Sequence, residues 1–143
     1  MGKPDPALLD SARFPFSCRI EPRFSDLDTN MHINNVALMG ILEEARVRFH
    51  RASGYHQALG SASSMLVSLQ VDYLGEGFYP QPLDVSVAAD QIGRSSHALL
   101  QLARQDERTV AFARATVVLT RDGKPEPLPD SYRDSVAPWM LRT

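Results

Sequence analysis

One amphipathic helix followed by a series of alternating segments is the pattern that most constrains how this chain can fold. From Val36 to about Ala52, apolar residues recur every three or four positions on one helical face, and charged residues fill the other face. Asn34 or Asn35 can cap this helix, because a carboxamide oxygen accepts a hydrogen bond from an exposed backbone N–H. Gly40 lies inside the pattern at a cost of about 1 kcal/mol, which predicts a close approach to another backbone.

The second half of the chain changes to a period of two, which is typical of strands. The alternating segments are separated by turn residues and run over residues 67–73, 83–90, 98–104 and 109–120. Residues 14–24 form a first, weaker candidate strand, because Pro15 and Pro22 interrupt it. A lone helix must bury its apolar face, and the sheet is the available partner. The sequence therefore predicts an α+β fold, with an antiparallel sheet of about five strands wrapped around one long helix.

A single domain is what a chain of 143 residues predicts. We expect its core over residues 14–122, preceded by a loose leader over residues 1–12. Residues 123–143 contain four prolines and are expected to form an irregular tail over the surface. One helix covers one face of the sheet, and the strands carry apolar residues on both faces, so we also expect a homodimer or a dimer of dimers.

Charge and hydropathy exclude several classes of protein. The net charge of −2 leaves no basic excess to neutralise a phosphate backbone, so nucleic acid is not an expected partner. No apolar run approaches the roughly 20 residues of a membrane span. The N-terminal residues lack the apolar core of a signal peptide, and we expect a cytoplasmic protein. The single cysteine excludes an internal disulfide and a multi-cysteine metal site.

A polar run from Asp26 to Asn35 carries two carboxylates, one imidazole and three carboxamides directly before the helix. Such groups are costly in a core and useful at a reaction site. The helix N-terminus adds unpaired backbone N–H groups and a partial positive charge, which suit a developing oxyanion. Asp28 is near enough in sequence to act on the substrate carbonyl whose oxygen would become that oxyanion. An aspartate at this place can also serve only the turn. Asp26 is read as a structural acceptor in the loop rather than as a second catalyst.

The polar run resembles the motif of the hot-dog-fold thioesterases. Its residues follow the pattern D-x-D-x-x-x-H-x-N-N, and residues 41–46 match the glutamate–alanine–arginine segment of the helix in those proteins. The nearest groups are the 4-hydroxybenzoyl-CoA thioesterase-like acyl-CoA thioesterases and the plant acyl-ACP thioesterases. In the order of elements the resemblance covers residues 14–122. It implies the hot-dog fold, a hydrolase of acyl thioesters, and an active site at a dimer interface.

The resemblance assigns the catalytic roles to three side chains. Asp28 takes the position of the catalytic carboxylate, which acts as a general base or as a nucleophile. Asn30 and His32 take the positions of supporting residues in the acyl-ACP group. From the residues alone, Asn30 can equally serve only the turn, and His32 can equally be a buried, hydrogen-bonded structural histidine.

The resemblance also indicates substrate-binding positions. Backbone N–H groups near Asn35 or Val36 are the candidates for polarising the thioester carbonyl. Met31 and Leu38 stand where many relatives have glycine and tyrosine, so we expect an acyl pocket of a different shape. The phosphates of coenzyme A need positive charge, for which a predicted turn supplies candidate groups. These are Arg94, Ser95 and Ser96. The helix offers further arginines, Arg46, Arg48 and Arg51, each of which is also an ordinary surface charge.

We therefore expect an enzyme, an acyl-CoA thioesterase that converts an acyl-CoA and water to a free acid and coenzyme A, or acts on the matching acyl-carrier-protein thioester. We expect no cofactor and no metal, because no cluster of ligands with usable spacing is present. One alternative is a hot-dog dehydratase or hydratase that pairs His32 with Glu43, although the proline- and glycine-containing segment typical of that class is absent. Another is a non-catalytic protein that binds acyl thioesters.

Overall fold

The fold is built on a curled antiparallel sheet, in a computed structural model that describes residues 3–143. The strands are Phe16–Ile20 (β1), Ser63–Tyr73 (β2), Leu83–Ile92 (β3), Ser96–Gln105 (β4), Arg108–Arg121 (β5) and Lys124–Pro125 (β6). Within the described range, the five longer strands pair in the order β1-β3-β4-β5-β2, and the two-residue β6 pairs with β5. The strand β2 therefore lies at one edge of the sheet, although it is the first strand after the helix.

The one long helix within residues 3–143, α1 (Asn35–Ala52), packs its apolar face on this sheet. Asn34 caps it, with its side-chain oxygen 2.8 Å from the N–H of Val36, as predicted. A second helix, α2 (Tyr55–Ala58), follows Gly54, whose φ of +87° favours glycine. The predicted α+β fold, a five-strand antiparallel sheet around one long helix in the hot-dog arrangement, is confirmed. No helix of the described range is long and apolar enough to cross a membrane.

Two strands differ by more than two residues from one of their predicted bounds. β1 is only five residues long, Phe16–Ile20, because Pro15 and Pro22 lack the N–H that a ladder needs. β2 begins at Ser63, four residues earlier than predicted, and has a bulge between Leu66 and Ser68. An edge strand has a partner on one side only, and large apolar side chains stay exposed along its first half. These are Met65, Leu66 and Val67.

The face of the sheet turned away from α1 is not left open, contrary to the expectation above. A second apolar cluster forms there around Phe14, Leu100 and Phe112, and the leader contributes Leu8 and Leu9 to it. The described part of the predicted loose leader forms two 3₁₀ turns, at residues 6–9 and 11–13, and its first two residues lie outside the described range. This face is therefore covered within the chain and does not support the predicted homodimer.

The C-terminal segment is also more ordered than the irregular tail that its prolines predict. It contains the helix α3 (Asp130–Ser135) and a 3₁₀ turn at residues 137–139. Tyr132 is fully buried, and Leu128 and Val136 join the core beside it. Arg133 donates to the carbonyls of residues 93 and 94, at 2.6 and 2.9 Å. The segment thus fastens the turn between β3 and β4 to the core.

A group of polar side chains is buried where α1 ends. His50 and His97 face each other with 3.1 Å between their Nε2 atoms, and Tyr55 pairs with the hydroxyl of Ser64 at 3.1 Å. Burial lowers the pKa of His50 to about 3 and that of His97 to about 4, so both imidazoles are neutral at neutral pH. Among the described residues, the Nδ1 of His97 and the hydroxyl of Tyr132 are buried with no hydrogen-bond partner.

Candidate active site

The loop before α1 is folded around the carboxylate of Asp28. Its Oδ1 accepts the backbone N–H groups of Asn30 and His32, at 2.8 and 3.1 Å. The backbone closes the same loop, since Asp28 donates to the carbonyl of His32 at 2.9 Å and Met31 donates to that of Asp28 at 3.0 Å. Met31 adopts a φ of +64°, which is uncommon for a residue with a side chain. No group in residues 3–143 donates to the second carboxylate oxygen of Asp28, so that oxygen is available to a substrate or water.

Asp26 has the structural role predicted for it. Its side chain is buried and accepts the backbone N–H of Arg23 at 2.8 Å and the guanidinium of Arg23 at 3.0 Å. Burial by itself would raise the pKa of Asp26, but these hydrogen bonds and the charge of Arg23 outweigh it and hold the pKa below its ordinary value. The carbonyl of Asp26 accepts the N–H of Asn34 at 2.7 Å. Asp26 thus ties the end of the first strand segment to the start of α1.

The first turn of α1 presents free backbone donors next to this loop. The N–H of Val36 is already engaged by the side-chain oxygens of Asn34 and Asn35, at 2.8 and 3.0 Å. The N–H groups of Asn35 and Ala37 have no acceptor within residues 3–143. Of the two predicted donors, only the N–H of Asn35 is therefore free. Unpaired N–H groups at a helix start carry partial positive charge, which suits an anionic oxygen.

The imidazole of His32 is held by a loop that sequence reasoning did not connect with the site. Its Nε2 lies 3.1 Å from the Oε2 of Glu76, and its ring meets Phe78 edge to face at 5.3 Å between centroids. The backbones join as well, since Ile33 donates to the carbonyl of Gly77 at 2.8 Å. Gly77 lets the two loops approach closely, since an added Cβ would lie 2.9 Å from a side-chain atom of Ile33, but a glycine in the sequence does not by itself identify this contact.

The carboxylate partner of His32 also bears on the dehydratase alternative, which requires a pair between His32 and Glu43. In this structure the carboxylate that pairs with His32 belongs to Glu76, and Glu43 lies exposed on α1. The carboxylate of Asp28 engages the backbone of His32 and not its ring. The structure therefore places Asp28, Asn30 and His32 in one loop and joins them through its backbone N–H groups.

A cleft of about 620 Å³ runs along the first turns of α1. Val36, Ala37 and Gly40 line one side, and Arg23 and Ser25 line the other. Contrary to the prediction, Gly40 approaches no other backbone among residues 3–143, because none of their atoms outside the backbone of α1 itself lies within 4 Å of the place its Cβ would occupy. Its missing side chain instead leaves the helix surface bare at the cleft. Asp28 does not line this cleft.

The other predicted substrate-binding residues divide into two groups. Met31 and Val36 are exposed at the loop, with 57% and 70% of their surface accessible. Leu38 does not reach an exposed pocket, since it is 3% accessible and belongs to the main core. Leu38 lies on the inward face of α1 and packs in the core, so it does not bind substrate at the surface as predicted.

The turn with Arg94, Ser95 and Ser96 lies at the opposite end of the sheet from Asp28. The Asp28 loop lies near the start of β3, because Ile20, the last residue of β1 before that loop, pairs with Leu83. The turn with Arg94 follows Ile92, at the other end of β3. The ten residues of β3 span about 30 Å at 3.3 Å per residue. Within one chain, this turn and Asp28 are therefore at the two ends of the molecule.

The helix arginines are mostly engaged within the chain. Arg46 is buried and donates to the side-chain oxygen of Gln101 at 3.0 Å, and burial lowers its pKa from the usual arginine value. Arg48 pairs with Glu44 one turn earlier and donates to a carbonyl of β1. Arg51 lies exposed near the helix end. Arg46 is thus a structural group in this chain and not a surface charge.

Comparisons with known proteins bear on the whole of this architecture. A model of the thioesterase-like superfamily matches residues 22–139. The uncharacterised protein YsmA of Bacillus subtilis (strain 168) is 27% identical over 144 residues, covering 96% of this chain and 97% of that protein. The structure of a thioesterase from Thermus thermophilus, complexed with coenzyme A and Zn, is 30% identical, with a TM-score of 0.77 and coverage of 87% and 92% of the two chains. A predicted thioesterase from Bacillus stearothermophilus is 25% identical, with a TM-score of 0.81 and coverage of 90% and 98%.

Proposed function

The chain belongs to the thioesterase-like superfamily, and we propose that it hydrolyses acyl-CoA thioesters to a free acid and coenzyme A. One observation supports the proposal: the carboxylate of Asp28 uses one oxygen within its loop and has no partner among residues 3–143 at the other, and this loop leads directly into the unpaired N–H groups at the start of α1. Thioester hydrolysis needs a base or nucleophile and a set of donors for the oxyanion at the same carbonyl. The choice of coenzyme A is supported by the Thermus thermophilus thioesterase, whose structure contains it.

In the proposed reaction, Asp28 acts through the oxygen that is not used by the loop. As a base, it takes a proton from water while the water oxygen attacks the thioester carbonyl, and the thiolate of coenzyme A leaves with a proton. As a nucleophile, it attacks the carbonyl itself, expels the thiolate and forms a mixed anhydride that water then opens. In both routes the carbonyl oxygen gains negative charge, and the N–H groups of Asn35 and Ala37 are the proposed donors. Asn30 and His32 support the carboxylate by fixing the loop around it.

We further propose that a homodimer completes the site. The turn at Arg94, our candidate for the coenzyme A phosphates, lies at the opposite end of β3 from the Asp28 loop in one chain. That strand has ten residues and spans about 30 Å, so a second copy is the simplest way to place the two together. The edge strand β2 supports this proposal, because it has an unpaired side and exposes Met65, Leu66 and Val67. An antiparallel pairing of two such edges would bury these side chains.

The function is tested by a turnover screen over aliphatic and aromatic acyl-CoAs, with the released thiol measured directly. We expect thiol release from at least one class of acyl-CoA. Addition of water to a 2-enoyl-CoA without thiol release would instead support the dehydratase alternative. Tight binding of acyl-CoA with neither reaction would support the binding protein.

The dimeric site is tested by complementation between two defective variants. Asp28→Ala loses the carboxylate, and Arg94→Glu loses the proposed phosphate contact. After mixing and subunit exchange, half of the dimers are hybrids, and each hybrid has one site with both residues intact. We therefore expect recovery of about one quarter of the wild-type activity, by this statistical count. No recovery in a mixture shown to exchange subunits would contradict the shared site.

A further inference from the structure

The loop between β2 and β3, residues 74–82, makes its contact with the candidate site through His32. The Oε2 of Glu76 lies 3.1 Å from the Nε2 of His32, and the ring of Phe78 packs edge-on against the imidazole at 5.3 Å. The imidazole is therefore held by Glu76 at Nε2 and by the ring of Phe78 on a second side. A carboxylate can only accept a hydrogen bond, so this contact places the proton of neutral His32 on Nε2.

The loop that supplies Glu76 is itself anchored by a buried amide. Gln105 is fully buried at the end of β4, and its side-chain oxygen accepts the N–H of Phe78 at 2.9 Å. Its side-chain nitrogen donates to the carbonyls of Phe78 and Gln81, at 2.8 and 2.9 Å. A buried amide with these bonds fixes the backbone on both sides of Phe78, because each lost bond would leave a buried polar group unsatisfied.

Glu76 is held from the other side by an arginine of β5. Arg108 donates to the carbonyl of Glu76 at 3.1 Å, and its guanidinium carbon lies 5.2 Å from the centre of the Phe78 ring. The neighbouring Gly77 accepts the N–H of Ile33, the residue that follows His32 in the chain. The carboxylate of Glu76 is exposed. The backbone that carries it is nevertheless fixed by these contacts with Arg108 and Ile33.

We infer that Glu76 is a positioning residue, which fixes the orientation and the Nε2–H tautomer of His32. This inference rests on the proposed thioester hydrolysis and extends it, because there His32 supports Asp28 through its backbone N–H, and here its imidazole contributes to the same reaction as well. The carboxylate of Glu76 is exposed, and an ion pair with an exposed partner contributes little to stability, so the role of Glu76 concerns the state of one imidazole and not the fold. No other carboxylate within residues 3–143 contacts the ring of His32.

The inference is tested by removing the carboxylate while following the imidazole directly. In Glu76→Ala, we expect kcat to fall about tenfold, the effect of one net hydrogen bond, with KM within about twofold. Long-range proton–nitrogen NMR spectra should show His32 mostly as the Nε2–H tautomer in the wild type and as a mixture of tautomers in Glu76→Ala. Glu76→Gln keeps an oxygen that can accept from Nε2, so it should restore the wild-type tautomer and most of kcat.

The matched control is Asp134→Asn, which neutralises an exposed carboxylate on α3 and should change neither readout. Urea unfolding of each variant shows whether the fold is unchanged, as the exposure of Glu76 predicts. An unchanged tautomer and an unchanged kcat in Glu76→Ala would overturn the inference. A wild type that shows the Nε2–H tautomer but hydrolyses no acyl-CoA would refute the proposed function and leave the hydrogen bond to Glu76 in place.

Discussion

The buried pair His50 and His97 predicts a loss of stability on mild acidification. The free energy of unfolding rises with pH wherever the unfolded chain binds more protons than the folded one. An unfolded histidine takes up its proton near pH 6.5, whereas burial holds the pKa of His50 at about 3 and that of His97 at about 4. Repulsion between a protonated His50 and positive charge on His97, Arg46 or His56 lowers the pKa of His50 further. The pair therefore contributes its full stability above pH 6.5, and this stability is lost as the pH falls from 6.5 towards 4.

The size of this loss can be worked out at pH 5, where both folded-state imidazoles are still neutral. Each pH unit below 6.5 costs about 1.4 kcal/mol per histidine that the folded state keeps unprotonated. From pH 7 to pH 5 the loss is about 2 kcal/mol for each histidine, and about 4 kcal/mol for the pair. With a urea dependence of about 2 kcal/mol per molar, the unfolding midpoint should fall by about 2 M.

The assay is urea unfolding at pH 7 and pH 5, for the wild type and for the double variant His50→Gln/His97→Gln. Other groups also titrate in this range, so the comparison between the two proteins isolates the pair. We expect the double variant to lose about 4 kcal/mol less than the wild type between the two pH values. Equal losses in the wild type and the double variant would refute the reasoning.

Three further predictions concern single side chains. In Gly77→Ala, the added Cβ would lie 2.9 Å from an atom of Ile33, so calorimetry should show a loss of about 1–3 kcal/mol together with reduced turnover. Asn34→Ala removes the cap of α1 and should lower the urea-unfolding free energy by about 1 kcal/mol, which Asn34→Asp should largely avoid. Tyr132→Phe removes a buried hydroxyl that has no partner among the described residues and should raise the unfolding free energy by about 1 kcal/mol, so a clear decrease would show that the hydroxyl is satisfied.

The parts of the fold that the sequence predicts are those with a long repeating pattern. Helix α1 begins within one residue of its predicted start and ends at the predicted Ala52, because its face repeats over many turns. Four strands follow from alternation, which needs only local sequence. The C-terminal helix at Asp130–Ser135 escapes prediction, because six residues are too few to establish a period and four prolines dominate the composition around it. Its fully buried Tyr132 depends on tertiary packing that local patterns do not contain.

The candidate site is predictable to the extent that it is local in sequence. The Asp28 loop and the Asn34 cap lie within one short run, and their hydrogen bonds join residues two to four positions apart. The contact of His32 with Glu76 joins the Asp28 loop to the loop that follows β2. It depends on the order of the strands in the sheet, which local sequence does not contain. The pair of His50 and His97 spans 47 residues and likewise has no local signal.

The central claim is that Asp28 performs the chemistry, and the kcat of Asp28→Asn on a turned-over acyl-CoA tests it most directly. Asparagine keeps an oxygen for the N–H groups of Asn30 and His32, so the loop can stay closed while the base or nucleophile is lost. We expect kcat to fall by at least about 100-fold, with unchanged circular dichroism and oligomeric state, and Thr29→Ala in the same loop to retain activity. A folded Asp28→Asn variant that retains wild-type kcat would contradict the account.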